Sequence, residues 1–316
     1  MFQTKVAIPP TKLNITYEDR IMTLGSCFAD NMGRKMQEVY FETDINPFGV
    51  LYNPISICNS IELLIENNEF TASDIFQQKE LWQSFSHSSL FSATTAERCL
   101  ENINERFRSA ASFLTQTDFL IITFGTAWVF EEKRSGSVVS NCHKLPASHF
   151  VRRRLSVDEI VLDYSALILK LKTLFPKLKI IFSVSPIRHW KDGAHENNIS
   201  KSTLLLAIAA LQQQFDSVDY FPAYEIQLDE LRDYRFYASD MLHPSDVAVD
   251  YIWQRFSETY FDEVTKGLKK ELEQVVADLN HRPLFPDTEE YQKFQKNTEK
   301  KITALKKNYP FLDNRL

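Results

Sequence analysis

Residues 21–40 read IMTLGSCFADNMGRKMQEVY. Ile21 to Leu24 is a short apolar run that meets Gly25 and then Ser26. Phe28, Met32, Met36 and Val39 follow at helical spacing. The pattern predicts a strand, a tight turn and a helix, with a hydroxyl at the turn. Gly25 lets the backbone bend without a Cβ clash. Ser26 falls at a helix N-terminus, where free N–H groups and the positive dipole end are available. A nucleophile gains there, because the oxyanion it creates meets oriented donors. The alternative is that Ser26 only caps the helix, which serine does well.

A second stretch, Ser239-Asp240-Met241-Leu242-His243-Pro244, lies far along the chain. Acyl transfer from a serine needs a base for the hydroxyl and a carboxylate to fix the base's tautomer. Asp240 and His243, three apart on one turn, can both face a shared cleft. The alternative is a surface turn capped by Asp240, with Pro244 opening the next helix.

Gly25-Ser26-Cys27-Phe28-Ala29 matches the signature of the GSCFA family, which resembles a branch of the SGNH (GDSL-type) hydrolases. In those enzymes the nucleophilic Ser lies in an N-terminal block and an Asp-x-x-His lies near the C-terminus. The resemblance, over residues 1–260, implies a catalytic set of Ser26, Asp240 and His243. It also implies an oxyanion hole built from the N–H groups of Ser26 and Gly49 and from the block Gly125-Thr126-Ala127-Trp128. SGNH hydrolases usually carry Gly-x-Asn in that block, and here Ala127 stands at the Asn position. Loss of one such donor costs roughly 10²–10³ in rate, so the Thr126 hydroxyl or the Trp128 indole N–H is the expected replacement. Gly49 reads equally well as a turn glycine.

Composition bounds the rest. The 316 residues suit one α/β domain with an extension, expected at 1–260 and 261–316. Hydrophobic residues make up 44% and charged residues 25%, ordinary for a globular protein. A net charge of −6 argues against a nucleic-acid face. The four cysteines form no C-x-x-C pair, which reads as free thiols in a reducing compartment. No leader is visible at the start and no run of eighteen apolar residues occurs, so a cytoplasmic protein without a membrane span is expected.

Along the chain, residues 1–20 read as an irregular arm and 42–45 as a second strand. Asn53 caps a helix to about Asn67. His87 sits in an aromatic, serine-rich segment and is a candidate for a substrate groove or for a locally bonded histidine. Residues 94–114 form a helix, with Ile103, Phe107, Ala110 and Leu114 as its buried stripe. DFLIITF, 118–124, is the clearest buried strand. Trp128–Glu132 and Ser137–Asn141 flank a turn. Cys142 and His143 are too few for zinc, though His143 is a candidate polar contact in the cleft. Arg152-Arg153-Arg154 reads as a solvated basic face.

Ser156 caps a helix to about Phe175, and KIIFSVS, 179–185, is the next buried strand. Its carboxyl end carries Pro186-Ile187-Arg188-His189-Trp190, where Arg188 is placed to hold an anionic substrate group and His189 to line the cleft. A helix over 198–215 and a short strand over 219–226 follow. Residues 246–280 read as one helical pattern, and 287–307 as a charged helix in a tail without its own core.

Strand–helix alternation predicts a three-layer α/β/α fold with a mainly parallel sheet. Strand tips are where such sheets bind ligands. The expected function is a serine hydrolase acting on an ester, with an O-acyl or O-acetyl carbohydrate as the class the resemblance suggests. Its partner is a small-molecule or carbohydrate ester, with no nucleic acid, no membrane, no cofactor and no metal. Two other readings stay open. One is thiol chemistry at Cys27, since a helix N-terminus lowers a thiol pKa. The other is a ligand-binding module without activity, which Ala127 motivates.

Overall fold

The computed structural model describes residues 4–316. The first three residues of the expected N-terminal arm lie outside the described residues, and 4–19 contain neither helix nor strand. The strands are β1 (Arg20–Gly25), β2 (Glu42–Ile45), β3 (Phe76–Gln78), β4 (Leu81–Gln83), β5 (Phe119–Phe124), β6 (Trp128–Glu132), β7 (Val138–Val139), β8 (Phe150–Arg154), β9 (Lys179–Val184) and β10 (Val218–Phe221). The helices are α1 (Cys27–Glu38), α2 (Pro54–Glu66), α3 (Ala96–Leu114), α4 (Val157–Leu174), α5 (Gly193–Gln214), α6 (Ala223–Glu225), α7 (Asp246–Tyr260), α8 (Glu263–Asn280) and α9 (Glu289–Asn308).

The central sheet has the order β10-β9-β5-β1-β2, and every pairing in it is parallel. Successive side chains of a strand face opposite ways, and two cores form accordingly. Met22, Leu24, Leu120, Ile122, Ile180 and Phe182 join the core beneath α2, α3, α4 and α5. Ile21, Phe119, Ile121 and Ile181 join the one beneath α1, α7 and α8. These are the three layers that alternation of strand and helix requires.

The chain runs outward from β1 to β2 and then crosses back to β5 on the other side of β1. That reversal opens a crevice at the carboxyl ends of β1 and β5, the place where open parallel sheets receive ligands. Register aligns the tips. Gly25 pairs with Thr123, and Thr123 with Ser183, so the residues after β1, β5 and β9 emerge at one level. A three-stranded antiparallel sheet of order β7-β6-β8 rises from the β5 tip.

Several expectations change. The basic run 152–154 lies in β8, an edge strand; Arg152 and Arg154 are exposed as expected, while Arg153 bonds Glu131 and Glu159, each at 2.6 Å. The strand expected over 219–226 stops at Phe221, because Pro222 has no N–H to continue a ladder; α6 and a π-helical segment, Ile226–Glu230, follow. The pattern over 246–280 is two helices, parted at Phe261-Asp262, where Asp262 Oδ1 caps α8 by accepting from Thr265 N at 2.7 Å. The expected 198–215 helix begins five residues earlier, at Gly193. Beyond residue 280, Leu305 and Leu312 are buried with Leu272 and Val275, so this tail packs on the face formed by α1, α7 and α8.

Candidate active site

Ser26 follows the last residue of β1. Gly25 adopts φ +135°, and a Cβ there would stand 2.1 Å from the Thr123 carbonyl oxygen of β5. Glycine is therefore required for the chain to leave the sheet so close to its neighbour. Ser26 caps α1, with Oγ accepting from Phe28 N at 3.3 Å. The capping reading and the placement at the strand tip are compatible. Ser26 is only 1% exposed, yet it lines a cavity of about 530 Å³ together with Cys27, Thr126, Trp128, Arg188 and His243.

Asp240 and His243 occupy a turn on the rim of that cavity. His243 Nδ1 donates to Asp240 Oδ2 at 2.5 Å, and the N–H groups of Leu242 and His243 both donate to Asp240 Oδ1 at 2.9 Å. These bonds, the backbone ones foremost, hold the Asp240 carboxyl down at about 2, so it is ionised at neutral pH. Engagement of Nδ1 leaves Nε2 as the basic nitrogen. His243 is half exposed. Among the described residues no hydrogen bond joins Ser26 to His243; the hydroxyl and the imidazole share the cavity without touching.

The structure corrects the expected oxyanion donors. Ser26 N donates to Thr123 O at 3.1 Å, and Gly49 N to Asn46 O at 2.7 Å. Gly125 N and Thr126 N both donate to Tyr52 O, at 2.8 and 2.9 Å. All four N–H groups serve the fold. Gly49 is the turn glycine, with φ +75°, and Ser88 Oγ would stand 2.0 Å from an added Cβ. Ala127 is fully buried, and its N–H donates to Ser200 Oγ at 2.8 Å. Three residues that line the cavity carry a donor that no acceptor among the described residues fixes. Val50 N–H has no acceptor among the described residues. Trp128 Nε1 is shielded from solvent and unpartnered. The Thr126 hydroxyl contacts Ser200 Oγ at 3.1 Å and accepts from Trp128 N at 3.2 Å, which leaves its proton free when Ser200 donates.

Of the expected substrate contacts, Trp128, Arg188 and His189 line the cavity and His87 and His143 do not. His87 is 1% exposed, stacked on Phe48 with centroids 4.8 Å apart and packed beside Phe70 and Phe91. Burial, with His143 near, lowers its pKa to about 3. His143 is buried as well and donates from Nε2 to Ser84 O at 2.7 Å. An aromatic pocket and a buried carbonyl outcompete the cleft for these two rings. His189 is driven by burial, and next by Lys201, to about 4 and is neutral at pH 7.

Lys201 was not legible as a site residue. It is 1% exposed on α5 and donates from Nζ to Gly125 O at 2.7 Å and Ser185 O at 2.8 Å. It thus ties together the tips of β5 and β9. Burial, with Arg188 adding repulsion, lowers it to about 7. The sequence signal was its spacing: Asn197, Leu204 and Ile208 share the buried face of α5 with it. Arg152, read in the sequence as part of a solvated face, is carried by β8 to 4.2 Å from the Trp128 ring. Among the described residues no group of three or more His, Cys, Asp or Glu could hold a metal ion, and no helix is long and apolar enough to cross a membrane.

Comparison with known proteins adds a family and a set of distant folds. The family model described as the GSCFA family matches residues 20–256, and that of the GSCFA domain protein, C-terminal domain, matches 272–315. No curated protein matches the chain in sequence. Among solved structures, a family 3 carbohydrate esterase from Clostridium thermocellum is 13% identical, with TM-score 0.34, over 79% of this chain and 98% of that one. A carbohydrate esterase family 3 protein from Talaromyces cellulolyticus is 12% identical, with TM-score 0.33, over 82% and 99%.

Proposed function

This chain belongs to the GSCFA family, and from the cavity at its strand tips we propose that it is a serine hydrolase acting on an ester. The observation that carries this reading is the shared cavity. A serine at a helix N-terminus opens onto the same space as an imidazole whose other nitrogen is held by an ionised carboxylate.

In this account a bound ester draws the His243 ring toward Ser26; catalytic hydrogen bonds are often long until substrate is present. His243 Nε2 takes the Ser26 proton as Oγ attacks the carbonyl carbon. The oxyanion meets Trp128 Nε1, the Thr126 hydroxyl and the Val50 N–H in place of the donors that the fold consumes. His243 passes its proton to the departing alkoxide as the ester C–O bond breaks. Water, deprotonated by the same imidazole, then attacks the acyl carbon, and Ser26 leaves reprotonated. Asp240 holds the tautomer throughout.

Burial, the largest influence on the Cys27 thiol, raises its pKa, so the thiolate needed for the rival reading is scarce at neutral pH. The binding-only reading is favoured by Ala127, which faces the core and supplies no donor. Turnover of 4-nitrophenyl acetate decides between them. The esterase account expects measurable hydrolysis, lowered by roughly 10³-fold or more in Ser26→Ala and His243→Ala. Asp240→Asn should lose up to about 10⁴-fold, through the wrong tautomer. Saturable ligand binding with no turnover above buffer contradicts it.

A further inference from the structure

The charges around the cavity do not follow the chain's average. The protein carries a net charge of −6, yet the cavity wall holds Arg152, Arg188 and Lys191 against one lining carboxylate, Asp192, with Asp240 on the rim engaged by His243. Arg152 is ion-paired with Asp192. Among the described residues neither Arg188 nor Lys191 has a carboxylate partner. Arg188 Nη2 donates to the neutral Asn198 Oδ1 at 3.0 Å, while its Nε is shielded from solvent and has no acceptor. The Arg188 charge thus lines the cavity without a counter-ion among the described residues, which favours an arriving anion.

Aromatic rings border these cations. Tyr52, Trp128 and Trp190 line the same cavity, and Arg188 lies 5.5 Å over the Trp190 ring. Tyr52 and Trp190 are 42% and 53% exposed. Open aromatic faces suit the C–H face of a sugar ring, and stacking on Trp190 preorganises the guanidinium beside it.

We propose that the cavity takes a sugar bearing an anionic group, a carboxylate or a phosphate, as the alcohol portion of its substrate, with Arg188 as the principal anion contact and Lys191 as the second. The hydrolysed bond rests on the esterase reading; the anion selectivity does not, because it is a property of binding.

Calorimetry on the full chain tests it with three deacylated probes: methyl glucuronoside, glucose 6-phosphate and neutral methyl glucoside. At low salt at least one anionic sugar should bind about tenfold or more tighter than methyl glucoside, as charge-assisted contacts allow. The margin should shrink on raising sodium chloride toward about 1 M. It should fall below about threefold in Arg188→Gln and by a smaller factor in Lys191→Gln. Whichever anion binds identifies the group. Equal binding of all three sugars, no binding of any, or an undiminished margin in Arg188→Gln overturns the proposal. Failure of the esterase reading looks different: anion selectivity persists while 4-nitrophenyl acetate is left intact.

Discussion

His87 is the locally bonded histidine of the two readings, with Nδ1 3.1 Å from Ser84 Oγ, and its burial is what its sequence neighbours alone did not show. Phe91 of the same segment, with Phe48 and Phe70 from earlier in the chain, closes over the ring. Its folded pKa of about 3 lies below the ordinary 6.5. Between those values the unfolded chain binds a proton that the folded one refuses, so stability rises with pH there and falls on acidification. The imidazole is neutral and fully compatible with the fold above about pH 6.5. Charging it costs on the order of 4–5 kcal/mol more in the native state than in the unfolded one. His87→Phe should therefore keep the melting temperature at pH 7 within a few degrees and flatten its decline between about pH 6 and 4. An unchanged acid decline in that variant would contradict this assignment. Ser26, Asp240 and His243 were legible as candidates because each belongs to a local pattern, a cap or a turn. The use of the N–H groups of Ser26, Gly49, Gly125 and Thr126 was not, since their acceptors Thr123, Asn46 and Tyr52 are set by strand pairing and loop closure.

The junction of β1 and α1 is the element on which the site is built. Its boundaries could be read from an apolar run, a glycine and a helical stripe. β8 could not, because three consecutive arginines resemble a solvated face until Glu131, Glu159 and Asp192 are brought opposite them. Local charge said nothing about pairing across a sheet. Two glycine substitutions separate crowding from backbone strain. Gly25→Ala places a methyl 2.1 Å from the Thr123 carbonyl, at φ +135°, whereas Gly136 has φ +71° and nothing within 4 Å of an added Cβ. Gly136→Ala should cost about 1 kcal/mol. Gly25→Ala should cost at least about 3 kcal/mol, since β1 and β5 must part to admit it. Urea unfolding measures both, and equal losses would refute the close approach.

At the scale of the molecule, the parallel sheet follows from strands separated by helices, and its switch point puts the tips of β1, β5 and β9 around one cavity. How the tail after residue 280 packs was harder to foresee, because α9 is mostly polar and presents few apolar positions. Leu305 and Leu312 are nevertheless buried, Lys301 bonds Asp278 at 2.8 Å, and Arg315 reaches the carbonyls of Tyr17 and Tyr40. Leu305→Ala and Leu312→Ala should each lower stability by about 2–4 kcal/mol; losses below about 0.5 kcal/mol would mean a tail that merely rests on the surface. The fold's larger consequence is that a serine near one end of the chain and a histidine far along it line one cavity, which the proposed reaction requires. Labelling of the intact protein with a fluorophosphonate, followed by mass mapping of the modified peptide, tests that most directly. The account predicts a single adduct on Ser26, absent in Ser26→Ala and strongly slowed in His243→Ala; an adduct on another residue, or labelling indifferent to His243, would contradict it.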